Sequence, residues 1–172
     1  ASGRASPSGK LPVTFYYNSA LSEMPDFTDY SMKGRTYRYY EGEPLYPFGY
    51  GLSYAKCEVT GLEADHESAK VRVRNTGARR TDEVVELYMR DEGSPFAVPN
   101  PILCGFQRIH LEAGEETVVQ IAIHPDAFTV VDDGGRRVTG SGSWTLYAGF
   151  GAPDRRTEEL TGRRALSVSL NQ

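Results

Sequence analysis

From about residue 55 onward, apolar and polar residues alternate with a period of two. Residues 69–74 place Val71 and Val73 on one side and Arg72 and Arg74 on the other, the pattern of a strand with one buried face. Residues 83–90 put Val85, Leu87 and Met89 on one face, and 143–150 alternate through Trp144, Leu146 and Ala148. Runs at 55–64, 102–111, 117–124 and 163–170 read as further strands. Turn signals lie between them: Asn75-Thr76-Gly77, the Pro-, Gly- and Ser-rich stretch 92–101, and Glu112-Ala113-Gly114-Glu115. Residues 130–138 read as a small hairpin around Asp132-Asp133-Gly134-Gly135. About seven main strands, with no convincing long helix, predict an antiparallel β-sandwich of roughly 115 residues.

Before residue 55 the pattern is different. The stretch 34–54, GRTYRYYEGEPLYPFGYGLSY, carries the rings of Tyr37, Tyr39, Tyr40, Tyr46, Phe48, Tyr50 and Tyr54. Its four glycines and two prolines break any long helix or central strand, so mostly irregular backbone is expected. Seven rings amount to about 1000 Å² or more, above the roughly 300–600 Å² of the largest apolar patch on an ordinary monomer. The tract must therefore pack on something. Upstream, 13–17 reads as one short strand, and 21–24 as a single helical turn stopped by Pro25. The immunoglobulin Cys…Trp…Cys pattern is absent. The expected class is thus all-β: a fibronectin type III-like (immunoglobulin-like) antiparallel β-sandwich preceded by an irregular aromatic-rich segment.

Composition narrows the partners. The net charge is −4 and the isoelectric point is near 5.4, which argues against nucleic acid and anionic membranes. No apolar run approaches the roughly 18 residues of a bilayer span. The opening ASGRASPSGK has no apolar signal-peptide core and no initiator Met. Two cysteines, Cys57 and Cys104, lie in strand-like runs and match no metal or redox spacing, so they read as buried free thiols. Few cysteines and no signal peptide favour a cytoplasmic chain, with a secreted parent as the other expectation.

Candidate chemistry is sparse. Asp132-Asp133 precedes two glycines and reads as a solvated turn. Asp82 opens a strand and is expected to bond the turn backbone. Glu41 and Glu43 sit among rings, where burial raises a carboxyl pKa; solvent exposure or ion pairing is the plainer reading. His66, His110 and His124 have no metal-ligand spacing. Ser6-Pro7-Ser8-Gly9 is not a nucleophile elbow. No catalytic residue, cofactor or metal is therefore expected in this chain. Arg35 and Arg38, interleaved with tyrosines, suit ring stacking and carboxylate pairing.

At this point the residues resemble a known family. PSGKLPVTFYY at 7–17, Asp29-Tyr30, GRTYRY at 34–39 and YPFGYGLSY at 46–54 resemble the end of the second catalytic domain of glycoside hydrolase family 3. VRNTG at 73–77, DEVVELY at 82–88, Gly105-Phe106, LEAGE at 111–115 and WTLYAG at 144–149 resemble that family's C-terminal fibronectin type III-like domain. The resemblance implies three regions: 1–33 as the tail of the α/β-sandwich domain, 34–54 as an aromatic linker, and 55–172 as the fibronectin type III-like sandwich.

It also implies a retaining parent enzyme acting on terminal β-D-glucosides or β-D-xylosides through two carboxyls about 5–5.5 Å apart. Both would lie upstream of this chain, whose role would be structural. Arg35, Tyr37, Arg38, Tyr39, Tyr46, Phe48, Tyr50 and Tyr54 are the expected domain-interface residues. The expected partners are the parent's catalytic domains, with self-association through bared rings as a second outcome. The rival reading is a free-standing carbohydrate-binding module that stacks oligosaccharides on its tyrosines.

Overall fold

A computed structural model describes residues 5–171. A 3-10 turn spans Asn18–Glu23 and a single helical turn, α1, spans Thr36–Tyr39. The strands follow as β1 (Cys57–Ala64), β2 (Ser68–Asn75), β3 (Thr81–Asp91), β4 (Ile102–Leu111) and β5 (Glu116–Ala122). Next come β6 (Thr129–Val131), β7 (Arg137–Thr139), β8 (Ser143–Gly149), the short helix α2 (Arg155–Thr161) and β9 (Leu166–Asn171). One sheet has the order β1-β2-β5 and the other β4-β3-β8-β9, with every pairing antiparallel. β6 and β7 form a separate small hairpin.

The two sheets face each other across one core, and the period-two pattern supplies it. Ala69, Val71 and Val73 of β2 point inward beside Val119 and Ile121 of β5. They meet Val85, Leu87 and Met89 of β3 and Trp144, Leu146 and Ala148 of β8. Trp144 is buried in the core, as its alternation predicts. Both thiols are free. Burial, with the Glu83 charge adding to it, pushes Cys57 up to about 11, and burial pushes Cys104 up to about 12. Neither is an activated nucleophile.

The Asn75-Thr76-Gly77 signal marks a tertiary knot as well as a turn. Asn75 is fully buried. Its amide donates to the carbonyls of Arg79 at 2.7 Å and Glu112 at 3.0 Å, and its side-chain oxygen accepts from Gly77 N–H at 3.0 Å. One side chain thus locks the β2–β3 turn to the β4–β5 turn, supplying partners for backbone groups that would otherwise be costly to bury.

Several local expectations change. The 13–17 stretch makes an isolated bridge, Phe15 to Tyr46, rather than a strand of a sheet. The 21–24 turn becomes the longer 3-10 segment. Helix α2 falls in a stretch with no apolar periodicity. Asp154 caps it by accepting from Thr157 N–H at 2.7 Å, and Gly162 ends it at φ 66°. Asp82 does not bond the turn backbone. It pairs across the ladder with Arg108 and with His110, which is 2.7 Å away; these bonds hold its carboxyl below the usual range.

The N-terminal segment is joined to the sandwich by a buried ion cluster. Glu83 occupies an inward position of β3 and is almost fully buried. Lys10 reaches it at 2.9 Å and Arg163 at 3.1 Å. Lys10 also donates to the Phe150 carbonyl at 2.8 Å, and Arg163 to the Ala55 carbonyl at 3.0 Å. Residues far apart in sequence therefore meet on one carboxylate.

Removing one partner of a buried pair leaves an uncompensated charge, at a cost of about 3–5 kcal/mol. Glu83→Ala is expected to lower unfolding free energy by that amount in urea titration. The triple change Glu83→Leu, Lys10→Met, Arg163→Met is expected to cost less than Glu83→Ala alone. A single variant as stable as the wild type would contradict the assignment.

Candidate functional site

The aromatic tract has two sides. On one side it covers the outer face of β3. Tyr37 and Phe48 stack with ring centroids 4.1 Å apart. Both meet the buried Tyr88 ring edge-on, at 6.3 and 6.5 Å, the arrangement favoured by ring quadrupoles. Tyr88 Oη donates to Glu86 Oε2 at 2.7 Å. Glu86 sits under the tract and is almost fully buried.

Gly49 is what lets the backbone come this close. It has φ 77°, and a Cβ there would lie 2.5 Å from Glu86 Oε2 and 2.6 Å from Tyr88 Oη. Only glycine meets both the left-handed backbone and the missing space.

Asn100, at the end of the β3–β4 loop, holds the tract from the other end. Its amide nitrogen donates to the carbonyls of Tyr37 at 2.9 Å and Tyr40 at 2.8 Å. Leu103 N–H donates to Tyr37 Oη at 3.1 Å. The 92–101 loop, read from sequence as a Pro-, Gly- and Ser-rich connection, thus has its distal end tied to the tract.

The other side of the tract is bare. Residues 11–15 run antiparallel to 45–50 through Leu11 N–H to Tyr50 O, Gly49 N–H to Leu11 O and Phe15 N–H to Tyr46 O. Phe15 meets Tyr46 edge-on at 6.4 Å, and Tyr46 stacks on Tyr50 at 5.3 Å. Val13, Phe15 and Tyr46 are exposed, as are Leu21, Leu52 and Tyr54, and Phe27 and Tyr30 are each 86% exposed. Such a concentration of uncovered rings on one segment is unusual for a monomer surface.

The eight predicted interface residues therefore separate. Tyr37 and Phe48 face the sandwich. Tyr46 and Tyr50 form the outer stack, and Tyr54 is exposed. Tyr39 is half-buried. Arg35 donates to the Pro25 and Asp26 carbonyls, at 3.0 and 2.6 Å, instead of pairing with a carboxylate. Arg38 lies 5.9 Å from the Tyr37 ring.

Glu41 and Glu43 are exposed; beneath the tract it is Glu86 whose carboxyl burial raises, pushed up to about 7 chiefly by desolvation. Sequence reasoning passed over Glu86, Tyr88, Lys10 and Asn100, and it placed Glu83 with Asp82 at the opening of a strand without its buried ion pairs. One signal was present: Glu83 shares the parity of Val85 and Leu87, a charge at a core position.

The remaining polar candidates make local contacts. Asp132 accepts from Arg136 across the β6–β7 turn. His124 caps the 3-10 turn Pro125–Phe128 by accepting from Asp126 N–H. His66 packs by Phe128 and Trp144, and His110 bonds Asp82 and Glu112. Among the described residues, no group of three or more His, Cys, Asp or Glu could hold a metal ion.

Comparison with known proteins fits this architecture. Residues 83–152 match the model of the fibronectin type III-like domain. The chain is 36% identical over 166 residues to a xylan 1,4-β-xylosidase of Xylanibacter ruminicola, covering 92% of this chain and 19% of that protein. It is 33% identical to thermostable β-glucosidase B of Acetivibrio thermocellus, covering 73% of this chain and 19% of that protein. Its fold superposes on the family 3 β-glucosidase of Bifidobacterium adolescentis with a TM-score of 0.77 and 25% identity, over 98% of this chain and 26% of that one.

The chain is an all-β protein carrying a fibronectin type III-like sandwich. More particularly, it belongs with the C-terminal part of glycoside hydrolase family 3, as its aromatic motifs predicted. It spans about a fifth of the length of these curated relatives, 19% of the xylosidase and 19% of the β-glucosidase.

Two tests follow from the seat of the tract. Gly49→Ala forces a methyl group against Glu86 and Tyr88 and is expected to cost roughly 1–3 kcal/mol, read by thermal and urea unfolding. An unchanged midpoint would mean that the close approach is not present in solution.

The second concerns pH. Glu86 has a higher pKa folded, about 7, than its ordinary 4.5. Between these values the folded state binds the extra proton, so this group's contribution is full below the unfolded pKa and is lost as pH rises through about 7. The loss is on the order of 3 kcal/mol. Glu86→Gln is expected to flatten that part of the stability profile and to gain relative to wild type at pH 8. Parallel profiles across pH 4.5–8 would refute it.

Proposed function

We propose that this chain is the non-catalytic C-terminal portion of a retaining glycoside hydrolase that cleaves terminal β-D-glucosides or β-D-xylosides, and that it braces the catalytic domains. The carrying observation is the two-sided aromatic tract. One side is seated on β3 through Tyr37, Phe48 and Gly49. The other presents Val13, Phe15 and Tyr46 uncovered, on the segment that resembles the end of the α/β-sandwich domain. Residues 1–33 then belong with that domain, 34–54 form the clamp, and 55–172 form the rigid support.

The relatives, a β-xylosidase and β-glucosidases, suggest the substrate class. Retention follows from the family resemblance and its paired carboxylates, none of which is carried onto this chain. A bare apolar face of this kind also favours self-association when it lacks its partner.

The isolated chain is expected to give no turnover on aryl β-glucosides or β-xylosides. In the uninterrupted enzyme, Phe15→Asp with Tyr46→Asp is expected to lower the melting temperature by several degrees and to leave the ratio of glucosidase to xylosidase activity unchanged. Turnover by the isolated chain that disappears on mutating one of its own carboxylates would overturn the non-catalytic reading. An altered substrate ratio at constant melting temperature would overturn the bracing role.

A further inference from the structure

Two carboxyls of β3, Glu83 and Glu86, point to opposite faces of the strand, and both are almost fully buried. They are provided for differently. Glu83 is met by two cations, Lys10 at 2.9 Å and Arg163 at 3.1 Å. Glu86 has a neutral partner, the Tyr88 hydroxyl, which donates to Oε2 at 2.7 Å. Its cross-strand neighbours, Phe106 of β4 and Gly149 of β8, bring no charge. The buried backbone of Gly49 closes the site from above, so near that a Cβ there would fall 2.5 Å from Glu86 Oε2. A carboxylate in this position has lost water without gaining a contacting counter-ion, which is the costly arrangement.

The charged and titratable groups around it leave that cost in place. Lys10, on the arm, favours the ionised form, but its ammonium is held by Glu83 and by the Phe150 carbonyl at 2.8 Å. Glu83 opposes a second negative charge. Arg163, ahead of β9, bonds Glu83 and the Ala55 carbonyl. Tyr37 of the tract and Asp154, the cap of α2, act on the Tyr88 hydroxyl and bring no positive charge.

The cover over Glu86 is loosely built. Residues 37–51 have little regular structure beyond α1. They meet the sandwich through the rings on Tyr88 and through backbone donors: Asn100 N–H to Arg38 O at 3.2 Å, Leu103 N–H to Tyr37 Oη at 3.1 Å and Ala152 N–H to Phe48 O at 3.4 Å. The core lies on the opposite face of β3. The cover can therefore lift while the two sheets stay packed.

We propose that protonated Glu86 latches residues 37–51 onto β3, and that its ionisation releases them in a local opening while the sandwich stays folded. An ionised Glu86 recovers water only when Gly49 moves off it. The latch is built wholly from this chain and holds whichever partner the bare side meets. Its sign follows from burial, which raises the carboxyl from 4.5 to about 7. The seated state is fully favoured below the lower value and loses that advantage as pH rises through about 7.

The test is amide hydrogen exchange of the 172-residue chain from pH 5 to 8.5. Each rate is compared with the free-peptide rate at the same pH to give a protection factor. The amides of Asn100, Leu103 and Ala152 report the seat, and those of Val71 and Leu146 report the core. Protection at the three seat amides is expected to fall roughly fifty- to one-hundred-fold over that range and to level off above about pH 7. Their exchange is expected to be nearly insensitive to low urea concentrations, unlike that of the core amides, because a local opening exposes little surface. Glu86→Gln keeps the shape and a hydrogen bond to Tyr88 and should abolish the fall. Asp154→Asn, which keeps the helix cap, should leave it intact.

The proposal is overturned by seat amides whose protection does not change with pH, or by a fall that persists in Glu86→Gln or vanishes in Asp154→Asn. Urea dependence at those amides equal to that of the core would also overturn it, since they would then open only on global unfolding. If Glu86→Gln does not fold, the wild-type and Asp154→Asn profiles and their urea dependence decide the matter.

Discussion

Strand β3 is covered on both faces, and the arrangement of the whole chain follows from that. Its inward face carries Val85, Leu87 and Met89 into the core, with Glu83 at the end of the row. Its outward face carries Glu86 and Tyr88, which an ordinary sandwich strand would leave to solvent. Both are buried because the aromatic tract lies over them. Burying a carboxyl demands hydrogen bonds or counter-charges. Glu83 meets the demand with Lys10 and Arg163, and Glu86 with the Tyr88 hydroxyl. Each solution reaches outside the two sheets or under the tract, so the sandwich and the segment before it form one packed unit.

This changes what the first fifty residues are. They contain few regular hydrogen-bonded elements, yet they are not a slack tether. Lys10 is held by Glu83 and the Phe150 carbonyl, Ser6 by Ser53, Tyr16 by Thr36, and Tyr37 and Tyr40 by Asn100. The likeness to β-glucosidase structures runs through this region too, because it covers 98% of the chain rather than the sandwich alone. The rings that point away from the sandwich remain exposed in this chain. Four segments of the chain, at Thr14, Tyr40, Asn100 and Arg156, also meet around an open cavity.

Much of the sandwich was legible in the residues. The alternation at 69–74, 83–90 and 143–150 identified β2, β3 and β8 and their buried faces, because a two-residue period maps directly onto the two faces of a pleated strand. The Asn-Thr-Gly signal located a turn, though not the three-way lock that Asn75 makes. Helix α2 escaped notice because a seven-residue helix held by an Asp cap and a terminal glycine needs no apolar stripe. The eight expected interface residues were treated as one group, whereas the structure seats Tyr37 and Phe48 on the sandwich and leaves Tyr46 and Tyr54 exposed. Composition reports how many rings must be buried, and nothing about which side of an irregular backbone each ring takes.

The sequence by itself determined the fold class, the family resemblance and the existence of an apolar excess at 34–54, because periodicity and local turn chemistry are properties of neighbouring residues. Only the tertiary structure decided the division of that excess into a seated side and a bare side. Only it paired Glu83 with Lys10 and Arg163, put a carboxyl with a pKa near 7 beneath Gly49, and brought Thr14 and Arg156 to one open cavity. Those features come from contacts between residues 37 to more than one hundred positions apart, whose energies depend on burial and approach distance. Neither quantity is written in local sequence.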